Sequence, residues 1–293
     1  MKRYIVLQVV LLLLFVCGSS SAAQQVNIGL NDVIATVESS FKAGSNGEAP
    51  IADFSADFFQ STLLSKDRRE MRGDGQLSVK LANAVSPLMY RFQYSRPYQQ
   101  EIVSDGNSLW IYHPENREVI LSDVSFVYNR PGFNPDRDPA VNFLQGLGRI
   151  SRDFQINFAA GMYDSAGNYV LELTPRRSML NTRRILLVVS RSSAISFVTR
   201  KSPQQSGPTN IPPRPPSRPN LGPSDKFGPL PPIGGVSDPF PLLSTTVEDQ
   251  DGNSTTMEFT NIRINNRFQL SLFSFLIPPG VQVVKPSELN QPR

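Results

Sequence analysis

The sequence predicts a mainly antiparallel β protein with two short helices. Apolar residues alternate with polar ones along five segments, which begin at Phe54, Leu77, Tyr90, Phe154 and Tyr169. Such alternation is typical of strands that bury one face. No strand–helix–strand alternation recurs along the chain, so a parallel nucleotide-binding sheet is disfavoured.

Shorter apolar runs extend the predicted sheet to about ten to twelve strands. These runs span residues 109–112, 119–121, 185–189, 195–199, 246–248, 257–264 and 268–273. Turn-forming residues separate several of the strands, with a Gly-Asn pair in each of the segments 105–107, 165–168 and 251–253.

Two segments have helical spacing instead. The first carries apolar residues at intervals of four, three and four positions, followed by the stop signal Ala43-Gly44: Leu30, Ile34, Val37 and Phe41. Two short helices cannot cover both faces of so large a sheet. One face is therefore expected to close on itself around a core or a cavity.

The second predicted helix begins at the N-cap Asp138, with Pro139 at its first helical position. Its apolar stripe consists of Val141, Leu144 and Leu147. Gly148 is expected to end this helix.

The first 23 residues are predicted to be a cleaved secretory signal. Lys2 and Arg3 precede an apolar run over 4–16, and small residues lead to a cleavage site after Ala23. The run is too short for a membrane-spanning helix. A lipoprotein signal with a lipidated Cys17 is the alternative, although Val16 is not the small residue that such a signal places before its cysteine.

Residues 201–243 are predicted to be a proline-rich, disordered insertion in a hairpin connection. They hold 13 of the 25 prolines and little periodic apolar pattern. The alternative is a docking arm for a partner. The remainder is predicted to form a single β domain over 24–285, followed by a C-terminal tail over 286–293.

The composition disfavours catalysis and metal binding. The chain has one histidine, His113, and one cysteine, Cys17, which excludes Cys/His zinc sites and disulfide frameworks. The loop beginning at Asp249 does not fit an EF-hand, because Ser254 and Thr260 occupy its sixth and twelfth positions. No acid, base and nucleophile come together, so the protein is not expected to be an enzyme.

The net charge of +4 does not indicate nucleic-acid binding. Two of these positive charges belong to the predicted signal and two to the predicted insertion, which leaves the β domain electrically balanced. The basic pairs at 68–69, 176–177 and 183–184 are scattered between strands. The glycine pairs at 73–75 and 146–148 lack the companions of a phosphate-binding loop and are interpreted as turns.

Aromatic residues on alternating positions leave two interpretations open. The strands either form an ordinary β core, or they line a curved sheet whose concave face binds an apolar ligand. Six segments decide between them, because they resemble the outer-membrane lipoprotein carrier family LolA: residues 54–60, 75–80, 87–92, 102–114, 169–175 and 273–283. The run Ser104-Asp-Gly-x-x-Leu-Trp-x-Tyr112, together with Phe275-x-x-Pro-x-Gly-Val281, is the most specific part of the resemblance.

The resemblance implies an unclosed half β-barrel of about 11 strands, with short α-helices as a lid over an apolar cavity. It implies a periplasmic carrier, without a cofactor and monomeric, that shelters the acyl chains of lipoproteins. Its implied partners are acylated lipoproteins, an inner-membrane extraction complex and an outer-membrane acceptor. Helices that fill the empty cavity would be displaced by this cargo.

The resemblance and the strand alternation together give expected site residues. The expected acyl-chain cavity is lined by Phe58, Leu77, Val79, Phe92, Trp110 and Tyr112. The expected lid residues are Val141, Leu144 and Leu147, and the expected rim residues are Tyr90 and Arg91. The arginine with which the family fastens its lid, beside a proline after the Leu-x-Val-Lys strand, is missing here, because Leu81 follows Lys80.

Two other functions remain open: a membrane-anchored acceptor of the same fold, and a periplasmic binding or scaffold protein that acts through its proline-rich arm. The mature N-terminus separates the carrier from the acceptor. We expect mass spectrometry of the secreted protein to give a chain beginning at Gln24, without cysteine. A mass that includes a lipidated Cys17 would favour the acceptor instead.

Overall fold

Alternating apolar residues organise the chain into one sheet of twelve strands. The structure is a computed structural model, and it describes residues 28–44, 49–83, 86–125, 146–179, 182–201 and 240–285. Neighbouring strands are antiparallel except β12, which pairs in parallel with β6. The strand order is β12-β6-β5-β4-β3-β2-β1-β11-β10-β9-β8-β7. Because β12 and β7, the two edge strands, do not pair with each other, the sheet is open, and the predicted fold class is confirmed.

The strands in chain order are β1 (Asp53–Leu64), β2 (Arg69–Lys80), β3 (Met89–Arg96), β4 (Gln100–Ser104), β5 (Ser108–His113), β6 (Glu118–Asp123), β7 (Phe154–Tyr163), β8 (Tyr169–Pro175), β9 (Arg184–Val189), β10 (Leu242–Glu248), β11 (Ser254–Ile264) and β12 (Gln282–Val284). The α-helices are α1 (Leu30–Phe41), α2 (Ile150–Asp153) and α3 (Arg191–Lys201). Two 3₁₀ turns span Leu147–Arg149 and Leu270–Phe273.

One face of the sheet, here called the inner face, packs against the helices. Val33, Val37 and Phe41 of α1 are buried in the same core cluster as inner-face residues of both halves of the sheet. Phe240 lies between helix and sheet, with ring centroids 5.6 Å from Phe41 and 4.7 Å from Phe54. β2 and β8 are far apart in the sheet, yet both contribute residues to this single core. The sheet must therefore curl around the core.

The opposite face, here called the outer face, has a smaller core of its own. Residues 265–281, the C-terminal segment, cross this face after β11 and before β12. Phe273 of this segment is fully buried, and so is Val103 of β4. The segment therefore covers the β3–β6 part of the outer face.

Two predicted strands have other conformations. Residues 195–199 belong to α3, because the Ser190 hydroxyl accepts a hydrogen bond from Ser193 N–H at 3.3 Å and caps the helix. Residues 268–273 contain a 3₁₀ turn rather than a strand. The backbone N–H groups of Arg267 and Phe268 donate to the buried Asp53 carboxylate, at 3.0 and 3.4 Å, so they are not available to a strand partner.

Two glycine assignments also need correction. Gly73 and Gly75 lie inside β2 rather than in a turn. Gly148 does not end a helix, since helical structure continues through Ile150–Asp153. A Cβ at Gly148 would lie 3.0 Å from the Phe41 carbonyl oxygen, so this glycine lets the 3₁₀ turn approach the end of α1.

The ends of the proline-rich segment belong to the β domain. Lys201 is the last residue of α3, and Leu242 and Leu243 begin β10. The flanking strands β9 and β10 are antiparallel neighbours, with Leu242 opposite Val189. The signal, residues 202–239 and the tail from 286 lie outside the described residues, so these predictions stay predictions.

We expect Phe240→Ala to lower the free energy of unfolding by about 3–5 kcal/mol, because it leaves a cavity between α1 and β1. Phe59→Ala is the matched control, since that ring is 40 % exposed on the outer face. It should cost less than about 1 kcal/mol. Urea unfolding followed by circular dichroism measures both, and equal costs would contradict the role of Phe240.

Candidate functional site

The inner face is apolar along its length but unevenly covered. Near α1, Phe54, Leu77 and Val79 are buried. Farther from α1, the inner face carries half-buried apolar residues that pack against the core: Phe92, Tyr94, Ile102, Leu109, Ile156, Phe158, Val247 and Met257. This half-covered apolar surface is the candidate binding site, here called the apolar surface.

Strand register brings four of the predicted cavity residues together. Leu77 lies opposite Phe92, and Val79 lies opposite Phe54. Phe58 shares this face, with its ring centroid 5.7 Å from that of Phe92. These four residues, Phe58, Leu77, Val79 and Phe92, therefore lie side by side on the inner face.

Trp110 and Tyr112 lie on the outer face, so their predicted place in the same cavity is corrected. Ile102 on the inner face pairs with Ile111, which turns Trp110 and Tyr112 the other way. Both rings pack against Phe275 of the C-terminal segment, at centroid distances of 6.4 and 5.4 Å. The run from Leu109 to Tyr112 is apolar at every position, so it contains no alternation that fixes its register.

Tyr90 and Arg91 do not share a rim, because consecutive residues of β3 point to opposite faces. Tyr90 is buried on the inner face. Arg91 is on the outer face, where it forms an ion pair with Glu101 and donates to the Leu272 carbonyl oxygen at 2.8 Å. Arg91 therefore fastens the C-terminal segment to the sheet.

Of the predicted lid residues, only Leu147 lies among the described residues. It is fully buried in the 3₁₀ turn Leu147–Arg149, which packs against α1. Leu147 thus contributes to the core beneath α1. Val141 and Leu144 lie outside the described residues.

Aromatic side chains of β1 and β3 form a cluster in the apolar surface, here called the aromatic cluster: Phe58, Tyr90, Phe92 and Tyr94. Phe58 meets the Tyr94 ring edge-on at 4.9 Å, and Phe92 stacks with Tyr94 at 6.5 Å. Such edge-to-face and stacked pairs hold the rings in fixed orientations. The cluster therefore forms an apolar surface of fixed geometry against which a ligand can pack.

Gln60 is the polar residue that joins this cluster. The Tyr94 hydroxyl donates a hydrogen bond to Gln60 Oε1 at 2.8 Å. Burial raises the pKa of Tyr94, so the hydroxyl keeps its proton at neutral pH. Sequence reasoning missed Gln60, although its position two residues after Phe58 already places it on the inner face.

A polar depression lies on the other side of the sheet, next to the Arg96–Asp74 ion pair. Its remaining lining includes Asp57, Gln76 and Gln93. It is separate from the apolar surface, because most of these side chains alternate onto the outer face. Among the described residues, no group of three metal-ligating side chains comes together.

Within the described ranges, no helix is long and apolar enough to cross a membrane. What the described residues define is a curled antiparallel sheet with an apolar, partly covered inner face. That combination suits the binding of apolar chains.

Comparison with known proteins places this chain in a family. The model of the outer membrane lipoprotein carrier protein LolA matches residues 50–203, more than half of the chain. The chain belongs to this LolA family.

Individual relatives are distant. An outer-membrane lipoprotein carrier protein of Haemophilus ducreyi is 34% identical over 83 residues, covering 28% of this chain and 37% of its own. The chain thus spans little more than a third of that relative's length. One of Pseudomonas aeruginosa is 22% identical over 230 residues, covering 78% of this chain and 80% of its own. A LolA superfamily protein structure from Nitrosomonas europaea aligns with a TM-score of 0.32 at 14% identity, over 85% of this chain and 99% of its own.

The Arg91 contacts give a stability prediction. Arg91→Leu leaves Glu101 without its partner and releases the Leu272 carbonyl, so we expect a loss of about 2–4 kcal/mol of unfolding free energy. The double variant Arg91→Leu/Glu101→Leu should recover part of this loss, because no charge is left unpaired. Chemical denaturation of the three proteins tests this, and a double variant less stable than the single one would contradict it.

Proposed function

We propose that this protein shelters the acyl chains of lipoproteins on its apolar surface and carries them through the periplasm from the inner to the outer membrane. The observation that carries the proposal is the half-covered apolar surface, with Phe92 and Tyr94 of the aromatic cluster in it, on the inner face of a LolA-family chain. A non-enzymatic carrier also agrees with the apolar character of the site. The implied partners are an inner-membrane extraction complex and an outer-membrane acceptor.

The binding energy available to acyl chains is large. Burying one methylene contributes about 0.8 kcal/mol, so two or three chains with roughly 30–45 methylenes represent ~24–36 kcal/mol. Non-covalent complexes rarely exceed about 20 kcal/mol. A carrier that must also release its cargo therefore needs an opposing cost.

The opposing cost is the displacement of the protein's own side chains. Val33, Val37 and Phe41 of α1, together with Phe240, fill the inner face near Phe54. An acyl chain that extends from the aromatic cluster toward α1 replaces these contacts with its own. The net affinity is then the gain from burying the acyl chains, reduced by the cost of displacing these side chains.

A charge in the apolar surface should prevent loading. We expect Phe92→Glu to weaken binding of a tripalmitoylated peptide at least about tenfold, because the carboxylate would be desolvated by the bound chains. Displacement of the dye 1-anilinonaphthalene-8-sulfonate measures the affinity, and circular dichroism checks the fold. If Phe92→Glu does not fold, Ile102→Gln is used instead, because Ile102 is half-buried and lies opposite Phe92 on β4.

Phe59→Glu is the matched control, because Phe59 directly follows Phe58 of the aromatic cluster on β1 but faces outward. It should bind the peptide as the wild type does. Organic extraction of the wild-type protein from its native host, followed by mass spectrometry, should release acyl species. Equal loss in Phe59→Glu and Phe92→Glu, or no loss in either, would contradict the proposed site.

A further inference from the structure

We propose that Gln60 and Tyr94 form a polar subsite that binds the carbonyl oxygen of the ester or amide linkage at the head of an acyl chain. This inference rests on the proposed function and adds to it a residue that recognises the linkage and fixes the direction of the chain. Gln60 is the donor to the ligand, and Tyr94 is the residue that positions Gln60.

The two side chains meet across an intervening strand. Gln60 is on β1 and Tyr94 is on β3, with β2 between them. The Tyr94 ring can cross β2 because the inner-face positions there are Gly73 and Gly75. A Cβ at Gly73 would lie 3.5 Å from the Tyr94 ring, and a Cβ at Gly75 would come within 1.9 Å of the Gln93 carbonyl oxygen.

The hydrogen bond leaves a specific group free. Tyr94 donates to Gln60 Oε1, which directs the amide oxygen toward the tyrosine and leaves the amide nitrogen to other partners. Among the described residues, Gln60 Nε2 has no hydrogen-bond acceptor. A half-buried amide N–H in apolar surroundings gains most from an acceptor that a ligand brings.

The surroundings of Gln60 match the polarity of an acyl linkage. On the side toward α1, the inner face is apolar, with Phe58 on β1 and Phe259 opposite it on β11, and Met257 lies level with Gln60. On the other side come the hydroxyls of Thr62 and Thr255, which are 3.1 Å apart. Along β1 and β11, the inner-face side chains thus change from apolar to hydroxyl-bearing at Gln60, while Met71 and Val247 beside the threonines are apolar. A chain whose carbonyl lies there has its tail toward α1 and its head group toward the threonines.

Three probes that share a twelve-carbon chain test the subsite by dye displacement: dodecane, methyl laurate and N-methyl lauramide. We expect Gln60→Leu to weaken the two carbonyl probes by about fivefold relative to its effect on dodecane, the value of one neutral hydrogen bond. Tyr94→Phe should also lower the affinity for the carbonyl probes relative to that for dodecane, by about two- to threefold. The reason is that Gln60 loses the hydrogen bond that orients it. A loss for only one carbonyl probe would support the subsite and assign the linkage it prefers.

Gln155→Leu and Tyr98→Phe are matched controls, since Gln155 is exposed on β7 and Tyr98 is exposed in the connection between β3 and β4. They should leave the ratio between the probes unchanged. If Gln60→Leu weakens dodecane as much as the carbonyl probes, or weakens none of them, the subsite is wrong although the apolar surface binds chains. If the wild type binds none of the three probes, the proposed function itself fails.

Discussion

The register of β1 against its two neighbours determines which side chains reach the inner face. Phe54 lies opposite Val79 of β2, and Phe58 lies opposite Phe259 of β11. A slip of one residue would turn these rings to the outer face and bring Ser55 and Asp57 to the inner face. Because β1 pairs with β2 on one side and β11 on the other, both halves of the sheet inherit this register. The apolar core, the aromatic cluster and the position of Gln60 all depend on it.

Asp53, the first residue of β1, determines which face of the sheet the C-terminal segment covers. The buried Asp53 carboxylate accepts hydrogen bonds from backbone N–H groups of Asn266, Arg267 and Phe268, where the chain leaves β11. Arg267 has a φ of 58° there, a left-handed conformation that is unfavourable for a side chain with a Cβ. These hydrogen bonds stabilise the turn and direct the C-terminal segment onto the outer face. The inner face is consequently left to the helices and to the proposed ligand.

Sequence reasoning recovered the parts of the fold that local patterns specify. The 4-3-4 spacing of Leu30 to Phe41 identified α1, and strict alternation placed Phe58, Leu77, Val79 and Phe92 on one face. Where the pattern is uniformly apolar, as from Leu109 to Tyr112, the face could not be deduced. Contacts between residues distant in sequence could not be predicted either. They are the ring contact of Phe240 with Phe41, the close approach of Gly148 to the end of α1, and the hydrogen bond from Tyr94 to Gln60. Each of these depends on tertiary packing, which a local pattern does not encode.

A carrier must bind acyl chains, but less tightly than a membrane does. The apolar side chains that fill the inner face affect this difference in affinity. Four apolar side chains from α1 and the β10 entry, Val33, Val37, Phe41 and Phe240, occupy that space. Each contributes about 1.5–3 kcal/mol when buried, so displacing all four costs roughly 6–12 kcal/mol. An acyl chain gains about the same burial in a membrane as on the protein, so this cost favours release into the membrane. In the proposed carrier function, uptake would then require an external source of free energy, whereas delivery would require only contact with an acceptor. The proposed hydrogen bond at Gln60 would add little to this difference in affinity, but it would fix the direction in which the chain lies on the inner face.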